Sequence, residues 1–275
     1  MALGGHNVGA NEEQIYHDRT AKDIDVDSLL VYETFEAATA PENRFIMQLL
    51  GDIKGKSILD LGCGAGESSV YFAIKGAHVS ALDVSPGMVE IGKKIASSYG
   101  VNIQWSTTDA TLLPFDDGFF DIVYGNGVLH HLTDISATLG EIHRVLRPGG
   151  STIFIEPLAH NPVINVYRKI AKEVRTIDER PFKLKELEAL FYNEFGNCSH
   201  EEFWLFTLWL FVRFFLIERV SPNRERYWKK IIREHQRLDR IYGTLERIDK
   251  KVLTLFPFLR RYCWNTVVSS QKRVF

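Results

Sequence analysis

Short apolar segments alternate with amphipathic ones along the middle of the chain. Residues 57–61 carry three large apolar side chains in five positions, which predicts a short buried strand. Residues 68–76 have apolar positions at helical spacing and end in glycine, which predicts a helix. Further strand-like segments lie within residues 78–86, 102–110, 113–132 and 141–157, with helical segments between them. This alternation predicts a parallel α/β sheet whose strands end at one common edge, where such sheets bind ligands.

Three glycines follow the first predicted strand, in the segment GCGAG of residues 62–66. Glycine tolerates positive φ and has no Cβ, so this loop lets a strand turn sharply into a helix while a ligand rests against bare backbone. The spacing G-x-G-x-G differs from the dinucleotide fingerprint G-x-G-x-x-G, and no G-K-[ST] phosphate-binding sequence follows. Asp60, just before the loop, would repel a diphosphate and suits a cationic group such as an ammonium. By itself, the loop also fits an ordinary strand-to-helix turn.

Two further acidic residues lie at the ends of predicted strands. Asp83 ends the second strand, where a carboxylate is placed to accept from both hydroxyls of a ribose. Ser85 and Pro86 then predict the N-cap and first residue of the next helix. Asp109 follows the third strand, where its carboxylate is placed to accept from an exocyclic amine. These acids favour a nucleoside-type ligand at this edge of the sheet.

With these motifs in this order, residues 55–157 resemble class I S-adenosylmethionine-dependent methyltransferases. More narrowly, they resemble the branch that contains ubiquinone and menaquinone biosynthetic methyltransferases. The segments that carry the resemblance are ILDLGCGAG, VSALDVSPGMVEIGKK, DATLLPFDDGFFDIV, GNGVLHHL and EIHRVLRPGG. The resemblance implies S-adenosylmethionine as the cofactor and no metal.

The resemblance also implies which residues meet each part of the cofactor. The methionine part is held by Asp60, Gly62, Cys63, Gly64 and Gly66. The ribose is held by Asp83, and the adenine by Val84, Met88, Asp109 and Ala110. The pocket is closed by backbone from Asn126, Gly127 and Val128. For Met88, plain packing within its helix is an equally good interpretation.

The carboxyl-terminal part of the chain completes the predicted sheet. A last helix, a sixth strand near residues 198–206 and a seventh strand near residues 261–272 follow the fifth strand. The expected fold is a Rossmann-like, seven-stranded, mostly parallel sheet with an antiparallel C-terminal strand. We divide the chain into N-terminal lid helices (1–54), the methyltransferase core (55–206), a helical insertion (207–260) and the final strand (261–275).

Helical segments precede the first strand. One short helix within residues 12–21 and one longer helix within residues 28–53 are predicted. In the family, such segments fold over the cofactor, so we expect a mobile cover. The resemblance implies that Tyr16 or Tyr32 touches the substrate or the methionine carboxylate, and burial as lid packing is the alternative for both.

The predicted insertion joins an aromatic segment to a basic one. Residues 203–217 contain seven Phe and Trp side chains, but they include Arg213 and are too few to span a membrane, which requires about 20 apolar residues. Residues 224–251 have apolar positions three or four apart, which predicts one amphipathic helix, and carry ten basic against five acidic residues. The insertion therefore fits a cap over a lipophilic substrate with or without a phosphate group, a peripheral contact with an anionic membrane, or a homo-oligomer interface. Its position beside the catalytic edge favours the cap. The fourth interpretation is that the aromatic residues are simply core beneath a solvated helix.

Candidate general bases follow the fourth and fifth strands. They are His130, His131, Glu156 and His160. A histidine titrates near neutrality and can take the proton of a hydroxyl acceptor, whereas an acceptor that is already nucleophilic needs no base. For His131 a purely structural role is the alternative. The sequence GNGV stands where amine-methylating enzymes carry [DN]-P-P-[YF], so we predict O- or C-methylation of a small, largely apolar acceptor and no nucleic-acid partner.

Composition sets further bounds. The chain has 275 residues, 45% of them hydrophobic, with a net charge of −2, enough for one sizeable core. Its three cysteines form no C-x-x-C pair, and residues 1–14 lack the apolar segment of a secretory signal, so we expect a cytoplasmic protein. The non-enzymatic alternative is a cofactor-binding subunit that acts as an interaction module.

Overall fold

Seven strands form one twisted sheet in the computed structural model, which describes residues 8–171 and 180–274. The strands are β1 (Ser57–Leu61), β2 (His78–Asp83), β3 (Gln104–Thr107), β4 (Phe120–Asn126), β5 (Leu146–Pro157), β6 (Ser199–Phe203) and β7 (Asn265–Gln271). Their order across the sheet is β3-β2-β1-β4-β5-β7-β6, and β7 runs antiparallel to both β5 and β6. The predicted Rossmann-like fold with an antiparallel C-terminal strand is therefore confirmed.

The helices pack on both faces of this sheet. They are α1 (Val8–Ala21), α2 (Val31–Glu36), α3 (Pro41–Leu50), α4 (Glu67–Ile74), α5 (Pro86–Ser98), α6 (Ile135–Val145), α7 (Pro162–Ile170), α8 (Leu184–Phe195), α9 (Trp209–Leu216), α10 (Tyr227–Arg233) and α11 (His235–Leu255). Short 3-10 helices cover Val26–Ser28, Leu129–His131 and Pro257–Tyr262. One core cluster includes Ile58, Phe72 and Tyr124, and the other includes Leu59, Leu139 and Phe154. Adjacent β1 residues thus enter opposite clusters, as strand geometry requires.

Two of the predicted helices are each divided in the structure. The longer N-terminal helix is wrong as one element, because α2 ends at Glu36 and α3 begins at Pro41, whose ring is compatible only with the first turn of a helix. The single amphipathic helix over residues 224–251 is also wrong. There the chain turns at Glu234, which ends α10 and precedes α11, so the two helices can pack on different neighbours.

The segment between β6 and β7 is helical, and its aromatic residues form a third core cluster. Phe211 and Phe214 of α9 pack against Tyr227 and Ile231 of α10 and Tyr242 of α11. These five side chains are at most 2% exposed, whereas Phe206, Trp209 and Phe215 are 43–53% exposed, so the aromatic segment is divided between core and surface. The fourth interpretation therefore fits Phe211 and Phe214 but not the three exposed residues. We call residues 207–260 the helical insertion from here on.

Asp249 of α11 ties the helical insertion to the end of β6. Its carboxylate accepts from the backbone N–H groups of Leu205, Phe206 and Thr207 and from the Thr207 hydroxyl, at 2.6–3.2 Å. Burial raises the pKa of Asp249, while these hydrogen bonds favour its ionised form. The start of α9 is therefore held against α11 by one buried carboxylate.

Within residues 8–171 and 180–274, no helix combines the length and the apolarity that crossing a bilayer demands.

Candidate active site

The glycine loop after β1 has the backbone geometry that the sequence predicted. Gly62, Gly64 and Gly66 have φ of 66°, 53° and 87°, in the left-handed region that side chains with a Cβ rarely adopt. A Cβ at Gly62 would also lie 2.5 Å from a methyl carbon of Val128, and one at Gly66 would lie 2.8 Å from the Trp105 ring. The loop therefore needs glycine for its conformation and for close packing, and its backbone lies open to a ligand at Gly64.

A cavity of about 560 Å³ lies over the carboxyl ends of the strands. This volume is typical of small-molecule sites. Most of the predicted cofactor residues line it, namely Asp60, Gly62, Cys63, Gly64, Asp83, Val84, Met88, Asp109, Ala110, Asn126, Gly127 and Val128. His130 and His131 line it as well. Residues more than sixty positions apart in the sequence therefore meet at one site.

Asp83 joins the glycine loop to the start of α5. One carboxylate oxygen accepts from Gly64 N–H at 2.8 Å, and the other accepts from Ser85 N–H at 2.9 Å. Burial raises the pKa of Asp83, and these two N–H donors oppose that effect. Each oxygen keeps a lone pair beyond its N–H bond, so the carboxylate can still accept from two ribose hydroxyls.

Asp109 is positioned by the turn that follows it. Its Oδ1 accepts from the N–H and the hydroxyl of Thr111, both at 2.8 Å. The adjacent Ala110 is buried and lines the same cavity wall. A polar acceptor beside a small apolar residue suits the edge and face of an adenine ring, as the resemblance implies.

Asp60 is the most perturbed acid in the cavity. It is 1% exposed, and its Oδ2 accepts from the Ser69 hydroxyl at 2.5 Å. Burial raises the pKa of Asp60 to about 7, and the negative charges of Asp83 and Glu67 add to that effect. A cationic group in the cavity would stabilise the ionised form of Asp60, so the carboxylate favours binding of an ammonium or sulfonium there.

This shift predicts a pH dependence of cofactor binding. Because a bound ammonium favours the ionised form, S-adenosylhomocysteine should bind about tenfold more tightly at pH 8 than at pH 6, across the pKa of about 7. The stability of the fold should depend on pH in the opposite direction. Because the pKa of Asp60 is higher in the folded than in the unfolded protein, its contribution to the free energy of unfolding falls as pH rises from about 4 to about 7. Isothermal titration calorimetry at both pH values checks the binding, and Asp60→Asn should remove the difference. An equal affinity of the wild type at pH 6 and pH 8 would contradict the assignment.

His130 forms a buried pair with Glu156. Nδ1 of His130 lies 2.8 Å from Oε2 of Glu156, and Oε1 of Glu156 accepts from the N–H groups of Val128 and Leu129. This arrangement favours the tautomer with hydrogen on Nδ1, which leaves Nε2 as the proton acceptor. Glu156 is fully buried and bound to His130 and to two backbone N–H groups, which favours a role in orienting His130 over the predicted role as the base.

His131 connects the cavity wall to α1. Its Nδ1 lies 2.8 Å from Oε1 of Glu13, and Nε2 of His17 lies 3.3 Å from Oε2 of the same carboxylate. Asp18 fastens α1 further, because it accepts from the Ser85 hydroxyl at 2.5 Å and from Gly87 N–H at 2.9 Å. α1 therefore covers the cavity, and the contact of His131 favours the structural interpretation.

Four other predicted residues lie away from the cavity wall. His160 is exposed, with its ring 6.4 Å from that of Tyr262, so the structure does not support it as a base. Gly66 faces Trp105 rather than the cavity. The Tyr16 hydroxyl accepts from Nη2 of Arg226 at 2.9 Å and so joins α1 to the helical insertion instead of contacting the cofactor side. Tyr32 packs at the surface beside Tyr99, so its predicted substrate contact is also unsupported.

Several cavity residues were not among the predicted site residues. From the N-terminal helices they are Glu13, His17 and Glu42, and from the C-terminal third Arg168, Trp204, Arg226, Trp228, Lys229 and Trp264. Glu42 accepts from Trp204 Nε1 and from the Asn265 amide, both at 2.7 Å, which fixes the apolar end of the cavity. The excess of basic residues beside aromatic ones was the sequence signal for the helical insertion, but it did not single out the side chains that face inward. Among the side chains that the structure describes, no group of three His, Cys, Asp or Glu is arranged to hold a metal ion.

In fold and in the geometry of its site, the chain resembles a Rossmann-like domain of the class I methyltransferase type. The family described as a methyltransferase domain matches residues 58–150. The resemblance predicted from the motifs is therefore confirmed for this central segment.

Individual relatives extend this comparison. A demethylmenaquinone methyltransferase of Clavibacter sepedonicus is 40% identical over 104 residues, which is 38% of this chain and 42% of the relative. A malonyl-[acyl-carrier protein] O-methyltransferase of Serratia marcescens is 32% identical over 124 residues, 44% of this chain and 47% of the relative. The chain thus spans about half the length of the curated relatives it matches. In fold, phosphoethanolamine N-methyltransferase 2 of Haemonchus contortus superposes with a TM-score of 0.62 at 18% identity, over 99% of this chain and 62% of that one.

Proposed function

We propose that the protein is an S-adenosylmethionine-dependent methyltransferase that acts at oxygen or carbon of a small, largely apolar acceptor. The observation that carries the proposal is the convergence of the glycine loop, Asp60, Asp83 and Asp109 on one cavity. The methyltransferase match over residues 58–150 supports the reaction, and the names of the two curated relatives support a quinone-like or acyl acceptor. The apolar side chains that the helical insertion adds to the same cavity support an acceptor with an apolar body.

The chain's own residues would position the reactants and exclude water. When bound, the cofactor supplies an electrophilic methyl group on a sulfonium. Methyl transfer is an in-line displacement, so the acceptor atom must be aligned with that methyl group and shielded from solvent. α1 covers the cavity from one side, and Trp228 and Ile232 of α10 contribute to its wall. For a hydroxyl acceptor, Nε2 of His130 takes the hydroxyl proton, and Glu156 stabilises the resulting imidazolium.

Alternative roles depend on the outer surface of the helical insertion. Trp209, Phe256 and Phe258 are large apolar residues that are 49–63% exposed there, and Phe206, just before the insertion, is 47% exposed. This surface supports peripheral contact with a membrane that carries a lipid-linked acceptor, or self-association as a homo-oligomer. The cofactor-binding interaction subunit remains the non-enzymatic alternative. The three free thiols support the proposed cytoplasmic location.

The test combines binding with methyl transfer. The purified full-length protein should bind S-adenosylhomocysteine in calorimetry and transfer label from S-adenosyl-[methyl-³H]methionine to a component of a small-molecule extract of its own host. The control reaction contains excess S-adenosylhomocysteine, which should suppress the labelling. Binding without labelling of any extract fraction would favour the interaction subunit, and absence of binding would reject the proposed function.

A further inference from the structure

Charged side chains from several elements line the cavity, and two of the cations come from the helical insertion. Asp60 lies in β1, Asp83 ends β2 and Asp109 follows β3, so these carboxylates belong to the edge of the sheet. The cations Arg226 and Lys229 come from the start of α10 in the helical insertion. A ligand that fills the whole cavity can therefore contact both the carboxylates of the sheet edge and the cations of the helical insertion.

Lys229 stands out among the basic residues of the helical insertion. Its neighbour Lys230 is held between Glu218 and Glu234, at 3.6 Å from the Glu218 carboxylate. Lys229, in contrast, makes neither an ion pair nor a hydrogen bond within the described part of the chain, and its ammonium lies 5.3 Å from the centroid of the Trp228 ring. Burial lowers the pKa of Lys229, the carboxylate of Glu67 on the same cavity wall opposes that effect in part, and the nearby charge of Arg226 adds a smaller lowering. A half-buried ammonium in this setting is stabilised when an anion enters the cavity.

The wall around these cations is apolar. Trp228 and Ile232 belong to the same helix as Lys229, and Trp264 precedes β7. Two cations beside such a surface fit an amphipathic anion, with the charge at Lys229 and an apolar body against the indole and aliphatic side chains. With a wholly apolar acceptor, the Lys229 ammonium would gain no hydrogen-bonded counter-ion, which leaves the attraction of Glu67 to oppose the effect of burial.

We propose that Arg226 and Lys229 form an anion subsite that binds a carboxylate or phosphate group of the methyl acceptor. This inference rests on the proposed function and narrows it: the acceptor class becomes small amphipathic molecules with an anionic group. The cofactor also carries a carboxylate, so the experiment must separate the two sources of negative charge.

The experiment measures binding of octyl phosphate and of 1-octanol to the full-length protein by calorimetry, with and without saturating S-adenosylhomocysteine. Octyl phosphate should bind at least tenfold more tightly than 1-octanol. Lys229→Met should weaken octyl phosphate about tenfold, the effect of losing one charged hydrogen bond, and leave 1-octanol unchanged. Lys229→Arg should retain most of the affinity. Lys251→Met is the matched control, because Lys251 is an exposed lysine of α11. This variant should bind both probes with the affinity of the wild type.

Two results would overturn the anion subsite. One is equal affinity of the wild type for octyl phosphate and 1-octanol. The other is that Lys229→Met weakens the binding of S-adenosylhomocysteine but not of 5′-methylthioadenosine, which lacks the carboxylate. Lys229 would then bind the carboxylate of the cofactor instead of an anionic group of the acceptor. The titrations without cofactor test the anion subsite independently of the proposed function. Failure to bind S-adenosylhomocysteine would reject the proposed function, whether or not octyl phosphate binds.

Discussion

Substituting His130 by glutamine should lower kcat for a hydroxyl acceptor by about 10²-fold to 10⁴-fold, the range typical of losing a general base. The physical reason is the buried pair with Glu156, which fixes the ring and leaves Nε2 to accept the proton. The dissociation constant of S-adenosylhomocysteine should change little, because the proposed cofactor contacts come from glycine-loop and strand-end residues. Steady-state methyl transfer and calorimetry on the same preparations provide the two measurements.

Controls for His130 come from the other predicted bases. His160→Gln should leave kcat within about twofold of wild type, because His160 is exposed and lies outside the described cavity wall. Glu156→Gln should lower kcat and change the pH profile of the reaction, because it removes the charge that stabilises the imidazolium. Should kcat stay at the wild-type level in His130→Gln and Glu156→Gln alike, catalysis would proceed by positioning alone, as expected for an acceptor that is already nucleophilic.

Substituting Asp83 by alanine should weaken S-adenosylhomocysteine binding about 30-fold, or roughly 2 kcal/mol, because two ribose hydroxyls lose a charged acceptor. The structure adds a second reason. Asp83 also accepts from the N–H groups of Gly64 and Ser85, so alanine leaves these donors without their partner and loosens the glycine loop. Calorimetry measures the affinity, and thermal unfolding without cofactor measures how much stability the substitution removes.

A ligand variant separates these two effects of Asp83. In the wild type, an S-adenosylhomocysteine analogue without ribose hydroxyls should bind more weakly than S-adenosylhomocysteine itself. In Asp83→Ala the two ligands should bind with equal affinity, because the ribose hydroxyls no longer have a carboxylate to donate to. Asp116→Ala is the matched control, since Asp116 is an exposed acid in the loop before β4. If Asp83→Ala binds the parent ligand as tightly as the wild type does, Asp83 is not the ribose acceptor.

Local sequence features predicted well which residues meet at the carboxyl edge of the sheet. The glycine loop and Asp83 each lie at the end of a strand, and their positions follow once the strands are recognised and made parallel. Because consecutive parallel strands end at the same edge, residues far apart in sequence meet there without any detailed packing. The antiparallel direction of β7 follows from the family resemblance, whereas the order of the strands across the sheet came from the structure.

Contacts between distant segments decided what the sequence left open. Glu156 is adjacent to His130 only because β5 lies beside β4, and Tyr16 meets Arg226 across 210 positions of sequence. Such contacts depend on how α1 and the helical insertion pack over the sheet, which no local periodicity encodes. The same packing buries Phe211 and places Lys229 on the cavity wall.

The sequence by itself therefore determined the fold class and the cofactor edge, because strand ends and glycine conformations are set by neighbouring residues. Only the tertiary structure distinguished the four candidate bases by burial and pairing, and only it divided the insertion between core and cavity wall. The physical reason is that burial and pairing, which distinguish His130 from His160 and Lys229 from Lys230, arise from side chains brought together by folding.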